Sequence, residues 1–208
     1  MMQTETISST GYTGPVGREL VTAPTGSSVV PLASLRLRLR VPFTDEDADL
    51  QAFLESATAE IEDALGRRLL PQTWRWWYDD VPPGRVIVLP EPARAIVAVK
   101  SFATDGDTVG TTLTSTEYEL DARRDRLVID DGTALWPPSS VRDYNAVSIE
   151  ATVGYASAAA IPAGILQAVY LTVQGHYLRG AEPPAEAAMR RHTIVGLLAP
   201  YRYRMGVA

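Results

Sequence analysis

The chain contains no cysteine. Disulfide frameworks, thiolate zinc sites, iron–sulfur clusters and cysteine nucleophiles are therefore excluded. Histidine is almost absent as well: His176 and His192 are the only two, too few for a three-histidine metal site within one chain. Lysine occurs once, at Lys100, among 19 basic residues. No stretch approaches the roughly 18 apolar residues that a transmembrane helix requires. The first ten residues are polar, with neither a basic n-region nor an apolar h-region, so no signal peptide is expected. Also missing are G-x-S-x-G, H-E-x-x-H, the P-loop G-x-x-x-x-G-K and G-x-G-x-x-G, the short motifs that most often announce hydrolase, protease or nucleotide chemistry.

What is present describes a globular protein kept in a cytoplasm. The 208 residues are 46% hydrophobic and 21% charged, and such a length allows one large domain or two small ones. A chain of this size buries about 70% of its unfolded surface and folds without a metal or disulfide. The net charge of −6 argues against a nucleic-acid binder, which presents a basic face. Arginine supplies all but one of the basic residues. A GC-rich genome explains that bias, and so does use in interfaces, where the planar guanidinium makes bidentate contacts.

Local patterning predicts an α+β protein. Residues 1–28 lack apolar periodicity and read as an extended or disordered arm that a partner would have to order. Residues 31–41 are two-sided: leucines alternate with Arg36, Arg38 and Arg40 as in a strand, yet Leu32, Leu35 and Leu39 fit helical spacing and Pro31 suits a first turn. The propensities of leucine and arginine favour a short helix. Residues 44–65 predict an amphipathic helix with a Thr44/Asp47 capping box, a stripe through Leu50, Phe53, Leu54, Ala57, Ile61, Ala64 and Leu65, and Gly66 as its stop. The acidic start at Asp45, Glu46, Asp47 and Asp49 suits capping carboxylates better than a metal site.

Residues 70–153 change to strand grammar. Strands are expected at 73–78, 85–88, 96–102, 118–121, 125–128 and 146–152, paired antiparallel because turns rather than helices join them. Helices return at 161–179, with Tyr177 and Val173 on the apolar face, and at 185–198, with Met189, Ile194, Leu197 and Leu198. The architecture expected is a small helical bundle (29–69 and 156–200) with an inserted antiparallel β domain (70–155). Two extended arms, 1–28 and 201–208, flank it.

No constellation points to catalysis. Asp79-Asp80 and Asp130-Asp131 are adjacent pairs, which point to opposite faces of a strand and suit turns. His176, between Gly175 and Tyr177 in an apolar helix, reads as structural or interfacial, and His192 beside Arg190-Arg191 as a surface residue. In Trp74-Arg75-Trp76-Trp77-Tyr78 one face should be core or subunit interface; a stacking platform for a sugar or base is the competing reading. The tail Tyr201-Arg202-Tyr203-Arg204-Met205 combines residue types enriched in interface hot spots, in an alternation suited to strand addition on a partner; a frayed end is the plain reading.

Several pieces in order carry a resemblance. They are Leu-Val-Thr-Ala-Pro at 20–24, Pro-Leu-Ala-Ser-Leu at 31–35 leading to Leu39-Arg40-Val41, the acidic start at 45–49 and Ala-Leu-Gly-Arg at 64–67. Thr73-Trp74, Val88-Leu89-Pro90 with Pro92, the run 147–155, Ile161-Pro162 and Leu198-Ala-Pro-Tyr-Arg202 follow. Over residues 20–202 the chain resembles the head–tail connector (adaptor) proteins of tailed phages, in the subgroup with a β insertion found in siphophage-like genomes and gene transfer agents. The alternating Arg36, Arg38 and Arg40 depart from that pattern. The resemblance implies helix at 31–40 and a structural, non-enzymatic role without cofactor. It implies a ring homo-oligomer, twelve-fold, in the neck of a phage-like virion assembled in a bacterial host cytoplasm. The partners implied are the portal protein and a stopper or tail-terminator protein, with DNA passing through the channel without sequence-specific binding and no membrane. It also implies that the C-terminal segment, Tyr201, Arg202, Tyr203, Arg204 and Met205, reaches into the portal ring. The alternative is a virion binding module whose β domain presents Trp76, Trp77 and Tyr78 to a carbohydrate or another structural protein. An enzyme such as a small hydrolase would need a nucleophile–base pair that the sequence does not offer.

Overall fold

The computed structural model describes residues 14–24, 28–81, 84–130, 132–133, 136, 140–178 and 181–203. The fold is α+β, with four α-helices and eight strands in two antiparallel sheets among the described residues. The ambiguous leucine–arginine segment resolves as helix α1 (Leu32–Leu39), closed by Arg40 in the left-handed conformation. Leu35 inserts into the core, while Arg36 and Arg38 turn to neighbouring helices.

Helix α2 (Asp47–Leu65) buries Leu50, Leu54, Ala57, Ile61 and Leu65, which lie on one face at helical spacing. The expected capping box does not form. Thr44 sits in a turn ahead of the helix, its carbonyl accepting the Asp47 N–H at 3.1 Å, and no side chain caps the first turn. Asp47 instead faces Arg36 at 3.6 Å. Helix α3 (Ala163–Leu178) packs on α2, with His176 against Phe53 and Glu60. Helix α4 (Pro184–Leu198) attaches through Leu198, with Ile194 and Leu197 partly buried. Met189 does not join them: nine residues before Leu198, it lies two and a half turns away, on the opposite face, and is 72% exposed.

The larger sheet has the order β1-β2-β8-β4-β5 and the smaller β3-β7-β6. These strands are β1 (Gly17–Thr22), β2 (Gln72–Tyr78), β3 (Val86–Val88), β4 (Ala93–Ser101), β5 (Thr111–Thr112), β6 (Tyr118–Asp121), β7 (Arg126–Ile129) and β8 (Val147–Val153). Ile87, Leu127 and Ile129 of the small sheet meet Trp76, Val99, Ile149 and Val153 of the large one in a single apolar cluster. Strand β8, between β2 and β4, is buried along most of its length, as a central strand should be.

Two strands escape the sequence pattern. Strand β5 is two residues long. Strand β1 lies in the segment expected to be an arm; it pairs antiparallel with β2, Gly17 opposite Trp77, and the chain's own sheet therefore orders it. Its side chains are almost all exposed, so no apolar alternation marks it. The backbone ladder and the chain of charges Glu19–Arg75–Glu150, at 3.1 and 3.0 Å, hold it instead.

The helices have a separate apolar cluster, built on Leu35, Leu50, Leu54, Ile61, Leu65, Ile165, Val169 and Val173. The chain leaves it through Leu69 and Leu70 and returns at Gly154, whose φ of +87° is combined with such close passage of Leu70 that a β-carbon would lie 2.1 Å from the Leu70 carbonyl oxygen. Only glycine fits that crossing.

The burial of α2 sets a graded expectation. Leu54→Ala should cost about 3 kcal/mol in denaturant unfolding, because it leaves a cavity where a fully buried side chain stood. Phe53→Ala should cost less, since Phe53 is only partly buried, at the edge of that cluster against His176. Equal losses would place Phe53 in the core.

Candidate functional site

The aromatic run on β2 divides by strand periodicity. Trp76 and Tyr78 face the smaller sheet, 1% and 2% exposed: they form the core face expected of this run, and the competing platform reading is corrected for these two rings. Trp77 points to the other face, half-buried, tilted against Phe102 at 5.5 Å with Arg75 at 5.7 Å. Arg142 lies over Phe102 at 4.5 Å and closes that side. Trp74, nearer the helices, is held between the guanidinium groups of Arg18 and Arg68 at 5.4 and 5.1 Å.

Those two arginines belong to a knot of charge where helices and sheets meet. Helix α2 ends at Gly66 in the left-handed conformation, which turns Arg67 and Arg68 back over the last helical turn. Glu62 then serves two groups: Oε1 accepts the Leu69 N–H at 2.8 Å and Oε2 accepts from Arg68 at 3.0 Å. Arg68 also donates to Glu91, on the loop between β3 and β4, at 3.4 Å, and Arg18 of β1 approaches Glu91 at 3.7 Å. Arg18, Glu62, Arg67, Arg68 and Glu91 line a cleft of about 430 Å³.

Burial and neighbouring charge act differently on the members of this knot. Burial lowers the Arg68 pKa, but the Glu91 and Glu62 carboxylates outweigh it and hold the guanidinium above its ordinary value. Glu91, buried, is pushed above the usual carboxylate range by desolvation, which the attraction of Arg68 only partly offsets. Arg68→Ala should therefore lower stability by about 3 kcal/mol, since two carboxylates lose their counter-charge, whereas Glu91→Gln should cost far less. Chemical denaturation of the two variants measures the difference, and equal losses would remove Arg68 from its central place.

The C-terminal residues reinforce the same junction. Proline 200 ends the helix in a 3-10 turn, Ala199–Tyr201, and the Tyr201 ring lies against Gly164, 3.1 Å from where a β-carbon would stand. The Tyr203 N–H donates to the Leu65 carbonyl at 2.7 Å and its hydroxyl to the Leu89 carbonyl at 2.9 Å. One residue, through its backbone N–H and its hydroxyl, thus ties the end of α2 to the small-sheet side. Tyr201 and Tyr203 are engaged within their own chain, and Arg202 is exposed between them. Arg204 and Met205 lie outside the described residues.

Burial, with the Asp125 carboxylate adding to it, pushes the Tyr203 phenol up to about 12. A folded pKa above the ordinary value of about 10 means that the tie is intact below pH 10 and is lost as pH rises towards 12. Tyr203→Phe should flatten the fall in melting temperature over that window. An unchanged alkaline profile would remove Tyr203 as its source.

The remaining candidates are structural. Asp79 accepts the Asn145 N–H at 2.8 Å, joining the segment after β2 to the one before β8, and Asp80 accepts the Val81 N–H at 2.8 Å within its own loop. His176 pairs with Glu60 at 3.0 Å, and His192 is exposed on α4. Among the described residues no group of three or more His, Cys, Asp or Glu could hold a metal ion, and no helix is long and apolar enough to cross a membrane.

No family model matches the chain, and no curated protein matches it. Solved structures do. A chain in the neck of an empty gene transfer agent (GTA) particle, computed with C6 symmetry, is 23% identical with a TM-score of 0.69, over 92% of this chain and 98% of that one. A chain in the virion of the native GTA particle is 25% identical, with the same coverage and TM-score. So is a chain in the neck of the native particle computed with C12 symmetry. The likeness is one of fold across nearly the full length of both chains.

Proposed function

We propose that this chain is a structural component of the neck of a phage-like particle, a head–tail connector that forms a ring between the portal and the tail or stopper and continues the DNA channel. The observation that carries the reading is the shared fold over 92% of the chain with neck chains of a GTA particle, including one computed with C12 symmetry. The order of sequence pieces over residues 20–202 supports it independently. The site's chemistry agrees: the conspicuous polar groups are salt-bridged or capped in ways that stabilise the fold, and none is arranged as a nucleophile with its base.

In this reading the protein is not an enzyme and uses no cofactor. Its partners are further copies of itself, the portal protein, and a stopper or tail-terminator protein. The net charge of −6 per copy, repeated around a ring, repels DNA and favours sliding over binding. The binding-module alternative loses its main support, because Trp76 and Tyr78 are core.

The portal contact is assigned to the C-terminal segment, now centred on Arg202, Arg204 and Met205, since Tyr201 and Tyr203 have internal partners. Deleting residues 204–208 should leave the melting temperature unchanged while abolishing attachment to portal-bearing heads. Deleting residues 201–208 should in addition destabilise the chain through loss of the Tyr203 tie. Particles carrying the shorter deletion at normal occupancy would move the portal contact elsewhere.

A further inference from the structure

Helix α4 has two apolar faces. Ile194, Leu197 and Leu198 face the bundle. The other carries Ala185, Ala188, Met189, His192, Val195 and Gly196, at spacings of three and four residues that place them on one side. All six are exposed, Met189 at 72% and Val195 at 50%. Around Met189 and Val195 the small residues Ala185, Ala188 and Gly196 leave room for close approach of another element.

A second apolar patch lies at the end of α1 and in the loop to α2, where Leu37 is 82% and Phe43 71% exposed. Three of the four most exposed large apolar side chains among the described residues thus sit on these two patches. Exposure on that scale marks interaction surfaces. The patches lie on different flanks of the bundle. Helix α1 leans on α3 through Arg38, which stacks over Tyr170 at 4.2 Å. Helix α4 covers Thr172 and Gly175. Tyr170 and Thr172 are two residues apart, about 200° around α3.

Side chains of opposite sign stand beside the two patches. Beside Phe43, Asp45 and Asp49 are exposed with no ion-pair partner among the described residues, whereas Arg36 is engaged by Asp47. Arg40 is the exposed cation there. On α4, Arg190 is bound by Glu182, leaving Arg191 exposed beside His192, with Glu186 one turn ahead. Arg191 on one flank, and Asp45 and Asp49 on the other, are complementary to each other rather than to themselves. That suits a head-to-tail contact between identical subunits, which closes into a ring when the rotation from copy to copy divides a full turn.

Resting on the ring reading above, we propose that the subunit contact places the Met189–Val195 face of α4 on the Leu37–Phe43 patch of the next copy, with Arg191 towards Asp45 and Asp49. The absence of cysteine in the chain gives a clean test. Leu37→Cys and Met189→Cys, at exposed positions where folding is not at stake, are introduced singly and together in the chain that assembles into particles. The particles are then treated with a short bis-maleimide.

The double variant should give a ladder of covalent oligomers, and each single variant only monomer. Met189→Cys dimers alone would show a self-complementary α4 contact and overturn the proposal. Necks filled with the double variant but without a ladder would also overturn it, while leaving the ring reading intact. Particles whose necks hold single, isolated copies would overturn both.

Discussion

The structure depends on one guanidinium shared between two carboxylates. Hydrophobic burial holds the helices together and, separately, the two sheets, but it is non-directional and does not orient one apolar cluster against the other. The charge knot supplies the orientation. Arg68, fixed by the glycine stop of α2, reaches Glu62 on the helix and Glu91 on the β side, and Arg18 brings the edge strand β1 to the same point. Charge-assisted hydrogen bonds of this kind are directional, and their partial burial strengthens them. Tyr203 adds a second tie across the same seam. A rotation between the two parts would break several of these contacts together.

That division of labour suits a component of an assembly. The apolar cores give each part its shape, the polar seam sets the angle between parts, and the remaining exposed apolar groups are left for other molecules. On the helical part these groups are Leu37 and Phe43 on one flank and Met189 and Val195 on the other. The β part contributes arginine–aromatic stacking among Trp77, Phe102 and Arg142. The long likeness of fold to particle-neck chains concerns shape rather than chemistry.

Local pattern made most of the elements legible. Leu50, Leu54, Ala57, Ile61 and Leu65 repeat at helical spacing, and α2 follows them. The hairpin of β6 and β7 was readable from Asp121 and the short loop after it. Strand β1 was not, because an exposed edge strand held by its backbone has no apolar alternation to detect. The capping box at Thr44 failed for a related reason: the motif is a local rule, and Arg36, eleven residues before Asp47, draws that carboxylate elsewhere. For the candidate site the sequence named the right residue types but not their roles. Trp76 and Trp77 are neighbours in sequence and opposite in environment, and which of the two faces is core depends on where the second sheet lies.

The sequence by itself determined the classes of chemistry excluded by missing cysteine and scarce histidine, the α+β order of elements, and the helical stripes, since all of these are set by composition or by neighbours within a few residues. Only the tertiary structure decided that Arg68 serves two carboxylates, that Tyr203 bonds a carbonyl 114 positions away, and that the tail's tyrosines are engaged at home. Those contacts join segments distant in sequence, and electrostatic and hydrogen-bond partners at such separation leave no periodic mark on the chain that makes them.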